Sequence, residues 1–214
     1  MSGHNFTHHP RFLGVISTLL MCIALLLVGC AENNPQLRPL NKDAVIVAFG
    51  DSLTHGTGVQ DHQSYPAVLS ELSGLRVINA GVAGEISKTG LARLQGLLNE
   101  HSPQLLLLCH GGNDLLRKLN LNELTDNLTQ MVEISQASGA QVVLIGVPKP
   151  SLLLGPAPVY QALAGKLDLV ADLDIIGDVL SKASLKSDPV HPNAQGYRMI
   201  AEAIHSTLRK AEAY

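Results

Sequence analysis

Ser52 stands in the tetrapeptide Gly50-Asp51-Ser52-Leu53, directly after a short apolar run. Far down the chain, Asp188 and His191 stand three positions apart in Asp188-Pro189-Val190-His191. A serine hydroxyl is a weak nucleophile until a neighbouring base takes its proton. A histidine oriented by a carboxylate is well suited to that task, because the carboxylate also stabilises the imidazolium that forms. The offset places Asp188 and His191 on one turn, and Pro189 and Pro192 oppose its extension as a helix. The nucleophile therefore comes first and the Asp–His pair arrives together at the far end. That order differs from the G-x-S-x-G hydrolases, whose motif is absent here.

Other readings of the same residues stay open at this stage. Asp51, Asn113, Asp188 and His191 are types that ligate metals in phosphoesterases, although such sites usually carry Asp-x-His at the first strand and here Ser52-Leu53 follows Asp51. Ser52 also suits a helix cap, Gly81 and Gly84 suit tight turns, Asn113 suits a cap before Leu115, and His191 suits a surface position. A catalytically silent scaffold would keep the same architecture. Asp51 reads as a residue that orients its loop. His110, beside Gly111-Gly112-Asn113-Asp114, is a candidate for lining the pocket, whereas His55, His62, His101 and His205 read as surface.

These residues must be held by a scaffold, and the apolar pattern supplies one. Ala44–Phe49, Leu75–Asn79, Gln104–Cys109, Gln141–Val147 and Leu167–Leu173 read as strands, the first as a continuous β-branched run of the kind buried on both faces. Helices are expected over Ser64–Ser73, Leu91–Glu100, Asn122–Ser138, Val159–Ala164 and Asn193–Ala211, where apolar residues recur every three or four positions. Such alternation implies a three-layer α/β/α sandwich with a flavodoxin-like, parallel five-stranded sheet. Ligands bind at the carboxyl ends of the strands in such folds, and the polar clusters stand there.

Taken together, Gly50-Asp51-Ser52-Leu53, Asn79-Ala80-Gly81-Val82-Ala83-Gly84, Gly111-Gly112-Asn113-Asp114 and Asp188-Pro189-Val190-His191 resemble the blocks of the SGNH (GDSL-type) serine hydrolase superfamily. The resemblance runs from about Val45 to Ile204. Gly81–Leu94, Gly111–Arg117 and His191-Pro192-Asn193 are most similar to the thioesterase I, lysophospholipase and arylesterase branch. It implies a hydrolase of carboxylic esters or thioesters, with Ser52, Asp188 and His191 catalytic and an acyl-Ser52 intermediate. It also implies an oxyanion hole formed by the Ser52 and Gly84 backbone N–H groups and the Asn113 amide, with no metal and no cofactor. The expected partner is a small-molecule or lipid ester substrate. Two departures stand out: Glu85-Ile86 where the family favours Asp then Thr or Ser, and Leu115 where glycine is common. The larger Leu115 is expected to narrow the acyl pocket.

Composition bounds the rest. The 214 residues are 46% hydrophobic and 15% charged, with a formal net charge of −3, which excludes disorder and leaves no basic stripe for nucleic acid. Polar Met1–Arg11 precedes the apolar stretch Phe12–Val28, and Leu27-Val28-Gly29-Cys30 resembles the lipobox of bacterial lipoprotein signal peptides. The expected organisation is a signal peptide over residues 1–29, a tether over 30–43 lipidated at Cys30, and a hydrolase domain over 44–214. An uncleaved membrane helix is the alternative. The anchor implies the envelope of a Gram-negative bacterium, at the periplasmic face of the outer membrane. Of the three cysteines only Cys109 lies in the domain, inside an apolar run, so no disulfide framework is expected.

Overall fold

Three runs of consecutive apolar residues become the centre of a parallel sheet. The strands are β1 (Val45–Gly50), β2 (Arg76–Gly81), β3 (Leu105–Cys109), β4 (Gln141–Ile145) and β5 (Val170–Asp172), in the order β2-β1-β3-β4-β5. All four pairings are parallel. Every residue of β3 is buried, since helices cover both faces of a central strand. Each leucine there contributes roughly 1.5–3 kcal/mol relative to an exposed position. Gly50 is in register with both Gly81 and Cys109, so β1, β2 and β3 end at one level. The three loops that leave them meet at that edge. This is the α/β architecture expected from the alternating pattern.

The structure, a computed structural model, describes residues 3, 35–149 and 155–214. All of the expected signal peptide but residue 3, together with Cys30, lies outside the described residues. The helices are α1 (Ser52–His55), α2 (Tyr65–Ser73), α3 (Ser87–His101), α4 (Gly112–Leu116), α5 (Leu121–Ala137), α6 (Pro158–Leu167), α7 (Ile175–Leu180) and α8 (Ala194–Lys210). Helix α3 begins four residues before the expected Leu91. Its first turn, Ser87-Lys88-Thr89-Gly90, has no apolar period and is fixed instead by Asp114, which accepts from the Ser87 N–H at 2.8 Å and its hydroxyl at 2.6 Å. Helix α8 turns Tyr197, Ile200, Ala201, Ile204 and Leu208 inward, is capped by Asn193 accepting from the Gly196 N–H at 3.0 Å, and ends on Arg209 and Lys210.

The folded unit starts earlier than the sequence pattern indicates. Residues 35–43 were expected to be tether, but Pro35 to Tyr214 form one unit. The Leu37 N–H donates to the Ala211 carbonyl at 2.9 Å and the Leu40 N–H to the Ala213 carbonyl at 2.7 Å. Leu37 is 8% exposed and joins the core. Two isolated leucines either side of Pro39 carry no periodicity, so the sequence concealed this docking.

Candidate active site

Strand β1 ends and α1 begins across Asp51-Ser52, which presents Ser52 at the helix start. Asp51 is 1% exposed; its carboxylate accepts from the Leu53 N–H at 3.1 Å and from the Gly112 N–H at 3.1 Å. It thereby ties the loop after β1 to the loop after β3, the orienting role read from the sequence. Burial pushes its carboxyl above the ordinary range, against the two N–H donors that hydrogen-bond it.

The loop before α8 carries the other two residues to Ser52. His191 Nε2 lies 3.0 Å from Ser52 Oγ, across 139 positions of sequence, and His191 Nδ1 lies 2.7 Å from Asp188 Oδ2. An ionised carboxylate only accepts, so the Nδ1 proton points at Asp188 and Nε2 is left to accept from the Ser52 hydroxyl. Asp188 Oδ1 takes the Val190 and His191 N–H groups, each at 2.9 Å, which pins the turn as its two prolines require. Burial would raise the Asp188 carboxyl, but the bonds from the His191 ring and these N–H groups hold it below its ordinary value.

Ser52, Gly84, Asn113, Leu116, Val147 and His191 line one cavity of about 320 Å³. Gly84 has φ +78°, a backbone region that favours glycine, and its carbonyl accepts from Arg117 at 2.9 Å. Gly81, the rival for the glycine position, ends β2 against the backbone of Thr54 and His55. The Asn113 amide nitrogen donates one proton to the Glu85 carbonyl at 3.0 Å. An amide carries two N–H bonds, so the second remains for the cavity. The residues that the resemblance grouped are thus brought together. As for the metal reading, no three His, Cys, Asp or Glu among the described residues are grouped as metal ligands. The Asp51 and Asp188 oxygens are directed at protein N–H donors instead.

Two expectations need correction. His110 does not line the cavity: it is fully buried behind it. Leu115 does not narrow the cavity at Ser52; it is 8% exposed and lines a neighbouring apolar hollow of about 480 Å³ with Leu119, Leu121 and Val159. Leu116 lines both spaces.

Sequence reasoning missed Arg93. Its guanidinium ion-pairs with Glu85, donating through Nε at 2.7 and 3.0 Å, and sits 4.2 Å above the Phe49 ring. The chemical sign was faint: an uncommon Glu85, an arginine eight residues on, and a histidine beside the third block.

A model of the GDSL-like lipase/acylhydrolase family matches residues 48–199. The chain belongs to that family. Among relatives of this GDSL-like hydrolase, "Esterase TesA" of Pseudomonas aeruginosa is 34% identical over 203 residues, covering 87% of this chain and 98% of that protein. "Thioesterase 1/protease 1/lysophospholipase L1" of Escherichia coli K12 is 29% identical over 172 residues, covering 77% of this chain and 83% of that protein. The crystal structure of TesA superposes with a TM-score of 0.73 at 30% identity, covering 78% of this chain and 99% of that one. The α/β fold is therefore that of solved hydrolases of this kind.

Proposed function

We propose that this hydrolase cleaves carboxylic esters and thioesters through an acyl-Ser52 intermediate. The observation that carries the reading is the unbroken hydrogen-bonded line Ser52 Oγ, His191 ring, Asp188 carboxylate, opening into the cavity that Gly84 and Asn113 share. Ser52 Oγ attacks the acyl carbon while its proton passes to His191 Nε2, and Asp188 stabilises the imidazolium. Negative charge on the carbonyl oxygen meets the Ser52 and Gly84 N–H groups and the free Asn113 N–H. The carbon–leaving-group bond breaks, and the proton on Nε2 goes to the departing alkoxide or thiolate. Water then enters, gives a proton to His191, attacks the acyl carbon and returns Ser52 with release of the carboxylic acid.

The acyl chain runs from Ser52 past Leu116 toward the apolar hollow, whose lining suits an aliphatic tail. The relatives' names support ester, thioester and lysophospholipid substrates. The chain is anchored through a lipidated Cys30 at the periplasmic face of a Gram-negative outer membrane, a reading supported by Leu27-Val28-Gly29-Cys30.

Hydrolysis of p-nitrophenyl esters from acetate to palmitate tests the chemistry. Wild type turns over, and Ser52→Ala loses turnover while keeping its melting temperature; a pure Ser52→Ala protein that still hydrolyses would overturn the mechanism. Leu116→Glu lowers kcat/KM for decanoate more than for acetate, and an equal loss on both would remove the acyl-path assignment. Metabolic labelling with a palmitate analogue should mark wild type and not Cys30→Ser; label retained in Cys30→Ser would discard the anchor.

A further inference from the structure

Behind the donor side of the cavity lies a charged cluster that touches neither Ser52 nor the cavity itself. Glu85 is 7% exposed, and its carboxylate is gripped from two directions. Arg93 holds both oxygens through Nε, and His110 Nε2 lies 3.1 Å from Oε2. His110 Nδ1 accepts the Gly111 N–H at 2.9 Å, so the ring proton sits on Nε2 and points at Glu85. Tyr160 donates its hydroxyl to the His110 carbonyl at 2.8 Å. The other end of Arg93 donates to the Ala80 carbonyl at 3.0 Å and the Gly50 carbonyl at 3.3 Å. The Glu85–Arg93 ion pair, with Glu85 buried and Arg93 about a quarter exposed, and the neutral His110 ring thus join the ends of β1, β2 and β3 to Glu85.

We propose that Glu85, clamped by Arg93 and His110, is a positioning residue for the oxyanion hole, acting through its backbone carbonyl on the Asn113 amide. The inference rests on the serine-hydrolase reading above. The Glu85 carbonyl receives one Asn113 N–H at 3.0 Å, so its position sets the direction of the second. Gly84, the other donor on that side, is the preceding residue. It is held separately, its carbonyl accepting from Arg117 at 2.9 Å. Burying such charges carries a large desolvation cost, and simple ballast would be served as well by apolar packing. Pinning a donor at a distance that tolerates little error is a task apolar packing performs less well.

The test is a double-mutant cycle on kcat, with each protein's folded fraction measured by thermal melting. Asn113→Ala loses one donor and falls about a hundredfold to a thousandfold. Glu85→Gln, which keeps size but weakens the grip, falls about tenfold to a hundredfold in kcat with KM within about threefold, as partial loss of the same donor requires. The combined variant is no worse than Asn113→Ala within about threefold, because both changes act through one N–H. If Glu85→Gln does not fold, Glu85→Asp takes its place in the cycle. A melting temperature that drops while kcat per folded enzyme stays at wild type would overturn the inference, as would losses that multiply. Ser52→Ala in the same assay separates the two ideas. Turnover retained there removes the mechanism itself, whereas turnover lost there with full kcat in Glu85→Gln removes the positioning role alone.

Discussion

The side of the cavity that carries His191 and the side that carries Asn113 are built from opposite materials. Asp188 and His191 keep 43% and 17% of their side chains exposed, on a proline-bordered loop held by its own carboxylate. Across the cavity, Glu85 and His110 expose 3% and 0% of theirs, and the buried Asp114 accepts from Ser87, whose hydroxyl in turn accepts from Asn127. In the proposed mechanism the base exchanges protons with substrate and water and must stay accessible to both. Donors that meet a developing charge need only stay in place, and buried charges with every partner present hold them.

The largest effects belong to the exposed side. Asp188→Asn should cost about 10⁴ in kcat with little change in melting temperature, because it presents the wrong partner to the ring. Steady-state kinetics on butyrate esters checks it, and a loss under tenfold would break the comparison at its base. On the opposite side, Asn113→Ala should cost about 10²–10³ in kcat, roughly 2.7–4 kcal/mol.

Acid should then distinguish the two sides by stability. Burial alone would raise Glu85, but the bonds from His110 and Arg93 bring it from an ordinary 4.5 down to about 2. A carboxyl depressed in the folded state stabilises above its unfolded value, and that stability is lost as pH falls from about 4.5 toward 2. Wild type should therefore lose more melting temperature between pH 6 and pH 3 than Glu85→Gln; parallel curves would remove the buried clamp as a source of stability.

The smallest effects concern packing. A Cβ at Gly90 would collide with the His110 ring, so Gly90→Ala should destabilise by about 1–3 kcal/mol in urea unfolding. Val190, 37% exposed on the opposite side, should tolerate Ala within about 0.5 kcal/mol. Equal responses would erase the contrast between the sides.

What the sequence disclosed follows the same division. Ser52, Asp188 and His191 sit in short motifs beside recognisable strands or prolines, so local reading reached them. The strands β1, β3 and β4 were legible as apolar runs. Helices α1, α4 and α7, of four, five and six residues, are too short to display a period. The Glu85–Arg93–His110 cluster was hidden for another reason. Its members lie on the loop after β2, on α3 and after β3, and only the common level at which the strands end makes them neighbours. The docking of Leu37 on the C-terminal residues was invisible on the same grounds.

The 139 positions between Ser52 and His191 also bear on when this hydrolase becomes active. In the proposed mechanism the nucleophile Ser52 is synthesised in the first third of the chain, but its base His191 follows β5, the last strand of the sheet. Until that stretch emerges and docks, Ser52 is an ordinary alcohol. On that mechanism a nascent or truncated chain leaves an ester intact, and reactivity arises only once the last part of the fold is in place.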